Sequence, residues 1–120
     1  MEANMAIQRI GLFVSGETNK VCRHIRIYHR PDENSRIVVI VSDKRDRGLF
    51  EQGIRQGIQV VFFDHALPRI QTCLVETCHF YDVDFLIVEP EYRHPISSQV
   101  CCAVGNWVMH AGMEHDPACV

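Results

Sequence analysis

The feature of this sequence that most constrains its fold is a series of short apolar runs separated by amphipathic stretches. The runs are rich in β-branched and aromatic residues, are bounded by turn residues, and occupy positions 9–14, 37–41, 58–63 and 84–88. Continuous apolar runs of this length are typical of strands that are buried on both faces. Residues 106–109 are predicted to form a fifth, shorter strand.

The stretch after the first run has the spacing of an amphipathic helix. Between Val21 and Tyr28, apolar side chains recur at intervals of three and four residues, which places them on one helical face. Thr18 or Asn19 stands just before this pattern and is a suitable residue to cap the helix.

The later connections also have helical patterns. Leu49, Phe50 and Ile54 mark a short helix, and Gly57 is predicted to end it because glycine readily takes the left-handed conformation found at helix ends. Two further helices are predicted, over residues 67–81 and 96–103.

Strands that alternate with helices indicate βαβ units and therefore parallel pairing. We expect an α/β fold: a three-layer Rossmann-like sandwich with a mostly parallel sheet of four or five strands. Residues 1–120 are expected to form a single domain, with an N-terminal lead (1–8) and a polar tail (111–120). In open sheets of this kind, ligands bind at the carboxyl ends of the strands.

Charge and hydropathy narrow the range of partners. The net charge is −3, so there is no basic surplus to attract nucleic acid or an anionic membrane. No apolar run approaches the ~20 residues that span a bilayer. The first five residues carry no basic segment before an apolar one, so we expect no secretory signal and a cytoplasmic protein.

The sequence has six cysteines, and most of them lie within apolar periodic stretches. A free cysteine behaves as a small buried hydrophobic residue. Without a secretory signal, reduced thiols are expected rather than a disulfide framework, and core packing is the expected role of Cys101 and Cys102.

The loop after the first run is a candidate phosphate site. Gly16 lets backbone amides approach a ligand, and the following helix presents free N–H groups and the positive end of its dipole. The residues expected to hold the anion are Ser15, Gly16, Thr18, Asn19 and Lys44. The alternative is an ordinary strand-to-helix turn, and the carboxylate of Glu17 opposes an anion there.

Four segments, in order, resemble the N-terminal half of the folate-dependent formyltransferases, and above all the glycinamide ribonucleotide formyltransferases. Residues 10–19 (IGLFVSGETN) are similar to that family's first strand and Ser-Gly-x-x-Ser-Asn phosphate loop, one residue shorter and with Thr18 for Ser. The resemblance extends over about residues 8–110. It implies a Rossmann-like fold, a phosphate-bearing substrate and the cofactor 10-formyltetrahydrofolate. The other three segments are 37–44 (IVVIVSDK), 48–58 (GLFEQGIRQGI) and 82–88 (DVDFLIV).

The chain departs from this family where catalysis is concerned. The family's folate loop reads Ala-Gly-Tyr/Phe-Met-Arg-Ile-Leu, whereas here residues 88–95 read VEPEYRHP. The family's Asn-x-His pair stabilises a tetrahedral adduct. The candidates here are Asn106 and His110, but Val108 takes the place of the Asn if His110 matches the family His, and the place of the His if Asn106 matches the family Asn. Asp116 is too near His110 to match the family's downstream aspartate.

A metal site is not predicted. His110, His115 and Cys119 lie close in sequence, and His79 lies beside Cys78, and these side chains suit Zn²⁺. Their spacing matches no standard zinc motif.

Three functions remain open from the sequence. The first is a degenerate formyltransferase-like domain, non-catalytic alone, that binds a phosphate-bearing small molecule and acts as a binding, regulatory or assembly module. The second is a small active enzyme, for formyl transfer or a related reaction, that uses His110, Asn106 and Glu89. The third is an oligomeric partner, a homodimer through its last strand, because an exposed edge strand invites self-association.

Overall fold

A computed structural model of the chain describes residues 7–111. It contains five strands, four α-helices and one short 3₁₀ helix, Pro31–Glu33, within that range. The strands are β1 (Gln8–Val14), β2 (Ser35–Ser42), β3 (Gln59–Phe62), β4 (Phe85–Val88) and β5 (Val108–His110). The α-helices are α1 (Thr18–Tyr28), α2 (Arg47–Gln56), α3 (Ile70–Phe80) and α4 (Ser98–Ala103).

The five strands form one sheet in the order β3-β2-β1-β4-β5, and every pairing is parallel. The predicted three-layer α/β fold is therefore confirmed. The chain runs outward from β1 to β3 and then returns to place β4 on the other side of β1. The strand order thus reverses between β1 and β4, and the crevice at their carboxyl ends is where an open parallel sheet binds ligands.

Alternate residues of the strands supply the two faces of the core. In β1, the side chains of Leu12 and Val14 lie in the cluster that packs against α1 and α2, whereas Phe13 lies in the cluster on the side of α3 and α4. This alternation follows from the two-residue period of a strand. The helical contributions include Val21 from α1 and Leu74 from α3, both buried.

Two glycines are required where α2 meets the sheet. A Cβ at Gly53 would lie 2.5 Å from Val60 Cγ2 and 2.7 Å from the Ile58 carbonyl oxygen, so only glycine lets the helix approach β3 this closely. Gly57 ends the helix with φ of 71°, and its N–H donates to carbonyls of the last turn. The predicted stop at Gly57 is confirmed. Ile54, however, is 81% exposed, because it lies on the outer face of the helix.

Several predicted boundaries shift, and α4 begins at Ser98 rather than at 96. Neither Thr18 nor Asn19 caps α1: the capping position is Glu17, in the left-handed conformation and with no side-chain hydrogen bond. Helix α3 begins at Ile70 rather than at 67, because the Asp64 side chain accepts from the Ala66 N–H and holds a turn there. Strand β5 begins at Val108 rather than at 106.

The cysteines are only partly in the core. The five within the described range are free thiols, and among them Cys78 alone is buried, where burial raises its pKa to about 11. Cys102 is exposed, so core packing is wrong for that residue. Cys119 and the predicted tail beyond Ala111 lie outside the described residues, as does most of the predicted N-terminal lead, although Gln8 opens β1. Within residues 7–111, no helix is long and apolar enough to cross a membrane.

Candidate ligand site at the carboxyl edge of the sheet

The carboxyl ends of β1 and β4 are joined directly by the backbone. The Glu89 N–H donates to the Phe13 carbonyl at 3.0 Å, and the Asp43 N–H, after β2, donates to the Val14 carbonyl at 3.2 Å. The residues that follow β1, β2 and β4 are therefore held side by side. Polar and ionisable groups lie in three parts of this edge. These are the loop after β1, the segment after β4, and a cluster of histidine and tyrosine side chains.

The loop after β1 leaves backbone N–H groups unpaired, within the described part of the chain, just before α1 begins. Gly16 has φ of 68° and Glu17 has φ of 57°, so two successive residues are left-handed before α1 begins. Among residues 7–111, the N–H groups of Gly16 and Glu17 donate to no other group. The Glu17 carbonyl accepts from the N–H groups of Lys20 and Val21, which closes the first turn of the helix. The loop therefore presents free backbone donors at a helix N-terminus.

Acidic and basic side chains flank this loop. A Cβ built on Gly16 would lie 3.5 Å from Asp46 Oδ2 and 3.8 Å from Lys44 Cβ. The Thr18 hydroxyl donates to Asp46 Oδ1 at 2.9 Å, and the same oxygen accepts from the Leu49 N–H at 3.2 Å. Thr18 is thus engaged with the N-terminus of α2 rather than open to a ligand.

The remaining predicted phosphate residues differ in exposure. Ser15 is buried, with 6% of its surface exposed, whereas Asn19 and Lys44 are exposed. The structure therefore brings Gly16 and Lys44 together at the loop, and it places the Asn19 side chain on the solvent side of the first helical turn.

The segment after β4 carries two carboxyl groups with different partners. Glu89 is fully buried, and its Oε2 lies 2.6 Å from His24 Nδ1 on α1. Glu91 pairs with Lys20 at 2.6 Å. The hydrogen bond between them lowers the pKa of Glu91 and raises that of Lys20. Both contacts join the segment after β4 to the same helix, so α1 and this segment are held against each other.

A second cluster lies beside the first, at the ends of β2 and β3. The Phe63 carbonyl lies 3.0 Å from His65 Nδ1, and because a carbonyl only accepts, that nitrogen carries the hydrogen. His65 Nε2 therefore accepts from the Tyr92 hydroxyl. His94 stacks on His65 with ring centroids 4.2 Å apart, and its Nε2 lies 2.7 Å from Asp43 Oδ2.

Burial controls the titration of this cluster. It lowers the pKa of His65 and raises the pKa of Tyr92, so the neutral forms of both side chains are favoured. Tyr92 is 4% exposed and also contacts Phe13, at 5.3 Å between ring centroids. The arrangement fastens the segment after β4 to the sheet through the pairs Tyr92–His65 and His94–Asp43, although Asp43 Oδ1 is buried without a partner among the described residues.

Of the two predicted catalytic residues, His110 is the last residue of β5, whereas Asn106 lies before the strand begins. Val88 pairs with His110, so His110 lies at the carboxyl edge beside Glu89. Asn106 precedes the strand in a turn with φ of 65°, and its N–H donates to the Cys101 carbonyl. A strand rises ~3.3 Å per residue, so His110 lies ~7 Å from the start of β5, and Asn106 lies in the turn before that start. Asn106 cannot join His110 and Glu89 in one constellation, and His110 is exposed.

No group of three or more metal-ligating side chains is placed to hold an ion within residues 7–111. His115 and Cys119, the other members of the sequence cluster, lie outside the described residues, as does Asp116.

Comparison with known proteins decides the fold relationship. No family model and no curated protein matches the chain. Among solved structures, glycinamide ribonucleotide transformylase 1 from Symbiobacterium toebii is similar with 24% identity and a TM-score of 0.68, over 89% of this chain and 52% of that one. Phosphoribosylglycinamide formyltransferase from Brucella melitensis is similar with 18% identity and a TM-score of 0.71, over 86% and 55%.

The chain has the fold of these transformylases. It spans about half their length. Formyltetrahydrofolate deformylase from Burkholderia mallei shares the fold as well, with 10% identity and a TM-score of 0.59, over 86% of this chain and 37% of that one. The Rossmann-like fold that the sequence resemblance implied is therefore confirmed.

The residues present do not fit the formyl-folate cofactor that this fold relationship implies. The polar side chains of the segment after β4 are largely engaged, through the pairs Glu91–Lys20, Tyr92–His65 and His94–Asp43. Of the two groups that would stabilise an adduct, Asn106 lies in the turn before β5 and His110 lies at the carboxyl end of that strand. We derive no step through that cofactor.

Several residues of this edge were not singled out by sequence reasoning. The sequence around His24 predicts a solvent-exposed side of a helix, and His65 follows β3 without belonging to any motif. The available signal was positional, since Asp43, Asp64-His65 and Glu89 directly follow predicted strands. Their pairing depends on how the strands are ordered in the sheet, which the sequence pattern does not specify.

Proposed function

We propose that this chain is a degenerate formyltransferase-like domain that binds a phosphate-bearing small molecule at the loop after β1 and catalyses no formyl transfer by itself. It would act as a binding, regulatory or assembly module. The separation of Asn106 from His110 along β5 carries the non-catalytic part of this proposal. Loss of one positioned donor typically reduces a rate by ~10²–10³, and here the pair is absent.

The phosphate would be held by backbone rather than by hydroxyl groups. The N–H groups of Gly16 and Glu17 are free within the described chain, and the first turn of α1 adds its dipole. Lys44 would supply the neutralising charge, since its side chain lies against Gly16. Thr18 would contribute its N–H only, because its hydroxyl is held by Asp46.

The carboxylates beside the loop set the expected affinity. Asp46 and Glu17 both lie near the position of the anion, and they oppose it. We therefore expect binding in the range of metabolite concentrations rather than tight capture. A ribose phosphate or nucleotide, with its sugar directed along the crevice towards β4, is the class of ligand that this edge would accept.

The test is thermal unfolding against ribose 5-phosphate, nucleoside monophosphates and inorganic phosphate, with ribose as the ligand that lacks phosphate. A ligand at 100 times its Kd stabilises the fold by ~2.7 kcal/mol, which corresponds to about 10 °C for a domain of this size. The phosphorylated ligands should raise the Tm and ribose should not.

Two glycine variants separate loss of binding from loss of stability. Gly16→Val places a β-branched side chain at φ of 68° in the loop, and Gly57→Val places it at φ of 71° at the end of α2, far from the loop. Both should lower the Tm through similar strain. Only Gly16→Val should abolish the ligand shift. A shift that survives in Gly16→Val, or that ribose produces equally, would contradict the proposal.

An activity assay separates the proposed binding role from the alternative, an active enzyme built on this scaffold. The binding role predicts no catalysis. The chain incubated with 10-formyltetrahydrofolate and an amine acceptor should form no more product than the same mixture without protein. Turnover by the wild-type chain that is lost in His110→Ala would show that the chain is an enzyme and would contradict the non-catalytic proposal.

A further inference from the structure

The most unusual polar group in the described structure is the carboxyl group of Glu89. The residue is fully buried, and one of its oxygens, Oε2, is hydrogen-bonded to His24 at 2.6 Å. The other oxygen, Oε1, is also buried and has no hydrogen-bond partner among residues 7–111. Buried polar atoms in folded proteins are almost always paired, so an unpaired carboxyl oxygen calls for a physical reason.

The backbone around Glu89 fixes the position of this group. Its N–H donates to Phe13 in β1 at 3.0 Å, and its carbonyl accepts from the Tyr92 N–H at 3.0 Å. Tyr92 is in turn held by His65. The carboxyl group is therefore presented by a rigid segment at the point where the strand order reverses, and it does not depend on a mobile loop.

Glu89 lines a cleft at the carboxyl ends of β4 and β5. The cleft has a volume of about 410 Å³, which is within the usual range for small-molecule sites. Its other walls are Pro90, Tyr92, His110 and Ala111. The walls are thus mainly apolar, with one buried carboxyl group and one exposed imidazole. An apolar surround strengthens any charge–charge interaction that a ligand makes with the carboxyl group.

The charges nearby favour a cationic ligand over an anionic one. Among the described residues, Lys20 is the nearest lysine to this segment, and it is paired with Glu91 at 2.6 Å. His24 is hydrogen-bonded to Glu89 through Oε2, which leaves Oε1 free to accept. A phosphate or carboxylate placed in this cleft would meet the buried carboxyl group of Glu89, and the exposed imidazole of His110 is the only basic side chain among the cleft walls. An N–H donor would complete the hydrogen bonding of the group.

We propose that the cleft between the ends of β4 and β5 binds a small organic cation, an ammonium or amidinium group on an apolar body, through the free oxygen of Glu89. The cation donates to Oε1, and its apolar body packs against Pro90, Tyr92 and Ala111. This site goes beyond the phosphate loop, since it uses a different strand end and a ligand of opposite charge.

Benzamidine is a suitable probe, and benzamide is its neutral counterpart of the same shape. Binding is measured by isothermal titration and by NMR chemical shifts of the labelled protein, on the wild-type chain. We expect saturable binding of benzamidine with a Kd at or below about 1 mM, and at least about tenfold weaker binding of benzamide. Equal affinity for the two, or no saturable binding of benzamidine up to about 10 mM, overturns the proposal.

Two matched variants locate the site. Glu89→Gln retains the shape and removes the charge, and it should weaken benzamidine binding at least about tenfold. Glu91→Gln makes the same change two residues away, on the carboxyl group that pairs with Lys20, and should leave binding within about twofold. Equal losses in both variants, or none in Glu89→Gln, would place the cation elsewhere and overturn the assignment.

The wild-type comparison of benzamidine with benzamide remains decisive if Glu89→Gln fails to fold, because it requires no variant. The result is also separable from the phosphate proposal. Gly16→Val lies at the end of β1 and should leave benzamidine binding unchanged, whereas Glu89→Gln should leave unchanged the Tm shift with inorganic phosphate, which has no sugar to reach β4.

Discussion

The hydrogen bonds of Asp46 allow a stability prediction that follows closely from the structure. One carboxyl oxygen, Oδ1, accepts from the Leu49 N–H at 3.2 Å and so caps α2. The same oxygen accepts from the Thr18 hydroxyl at 2.9 Å, which ties the first turn of α1 to the first turn of α2. Replacement of Asp46 by alanine removes both interactions at once.

The magnitude follows from the two bonds. Loss of an N-cap side chain costs ~1 kcal/mol, and loss of an intramolecular hydrogen bond costs a further ~1 kcal/mol. Asp46→Ala should therefore lower the free energy of unfolding by ~2 kcal/mol. With an unfolding entropy of ~2.1 cal/mol/K per residue, this corresponds to a decrease of about 8 °C in Tm.

Urea unfolding of the wild type and four variants tests the reasoning. Asp46→Asn keeps an oxygen acceptor and a good capping residue, so it should stay within ~0.5 kcal/mol of wild type. Thr18→Val removes one hydrogen bond only and should cost ~1 kcal/mol. The double variant Thr18→Val/Asp46→Ala should cost no more than Asp46→Ala alone, because the two side chains share one interaction.

The result that would refute this account is additivity. If Thr18→Val and Asp46→Ala lose stability independently, the hydrogen bond between them contributes nothing. If Asp46→Asn is as unstable as Asp46→Ala, the role of this residue is its charge and not its acceptor. Either result would also remove the reason to treat the loop after β1 and the N-terminus of α2 as one unit.

Two further predictions concern acid stability and assembly. His29 Nδ1 accepts from the Ile37 N–H at 3.0 Å, and burial lowers its pKa from the ordinary value of 6.5. The unfolded chain then binds a proton that the folded chain does not, so the free energy of unfolding should decrease as pH falls below about 6.5 towards the lowered pKa. His29→Asn, which keeps an acceptor, should reduce this dependence; His65, whose pKa is also lowered, should supply part of the remainder. We also propose a homodimer through the β5 edge, where the single tryptophan, Trp107, is 68% exposed. Its emission should shift to shorter wavelength as protein concentration rises, together with a doubling of mass by light scattering.

The controls for these two predictions are built into the chain. An unchanged pH dependence in His29→Asn would show that His29 does not sense acid. For assembly, Trp107→Lys should remain monomeric, whereas Phe80→Lys, at a residue 78% exposed on α3, should still dimerise. A constant monomer mass at every concentration would contradict the dimer.

Much of the fold could be predicted from local patterns. The run 37–41 is strongly β-branched, and it forms the centre of β2 because such residues pack well on a pleated, buried surface. Gly57 ends α2 because its left-handed φ is a local property of the chain. The errors occurred where local signals compete, as at Asp64, whose side chain holds a turn and delays the start of α3.

The sequence by itself determined the elements, their alternation and the parallel sheet, because strand and helix periods are read from neighbouring residues. It also indicated that Gly16 and the segment after β4 are candidate positions for a functional site. Only the tertiary structure decided which groups meet. His24 reaches Glu89 across 65 residues and His94 reaches Asp43 across 51, while Asn106 and His110, four residues apart, lie before β5 and at its carboxyl end. The physical reason is that strand order brings distant carboxyl ends together, whereas an extended backbone separates near neighbours.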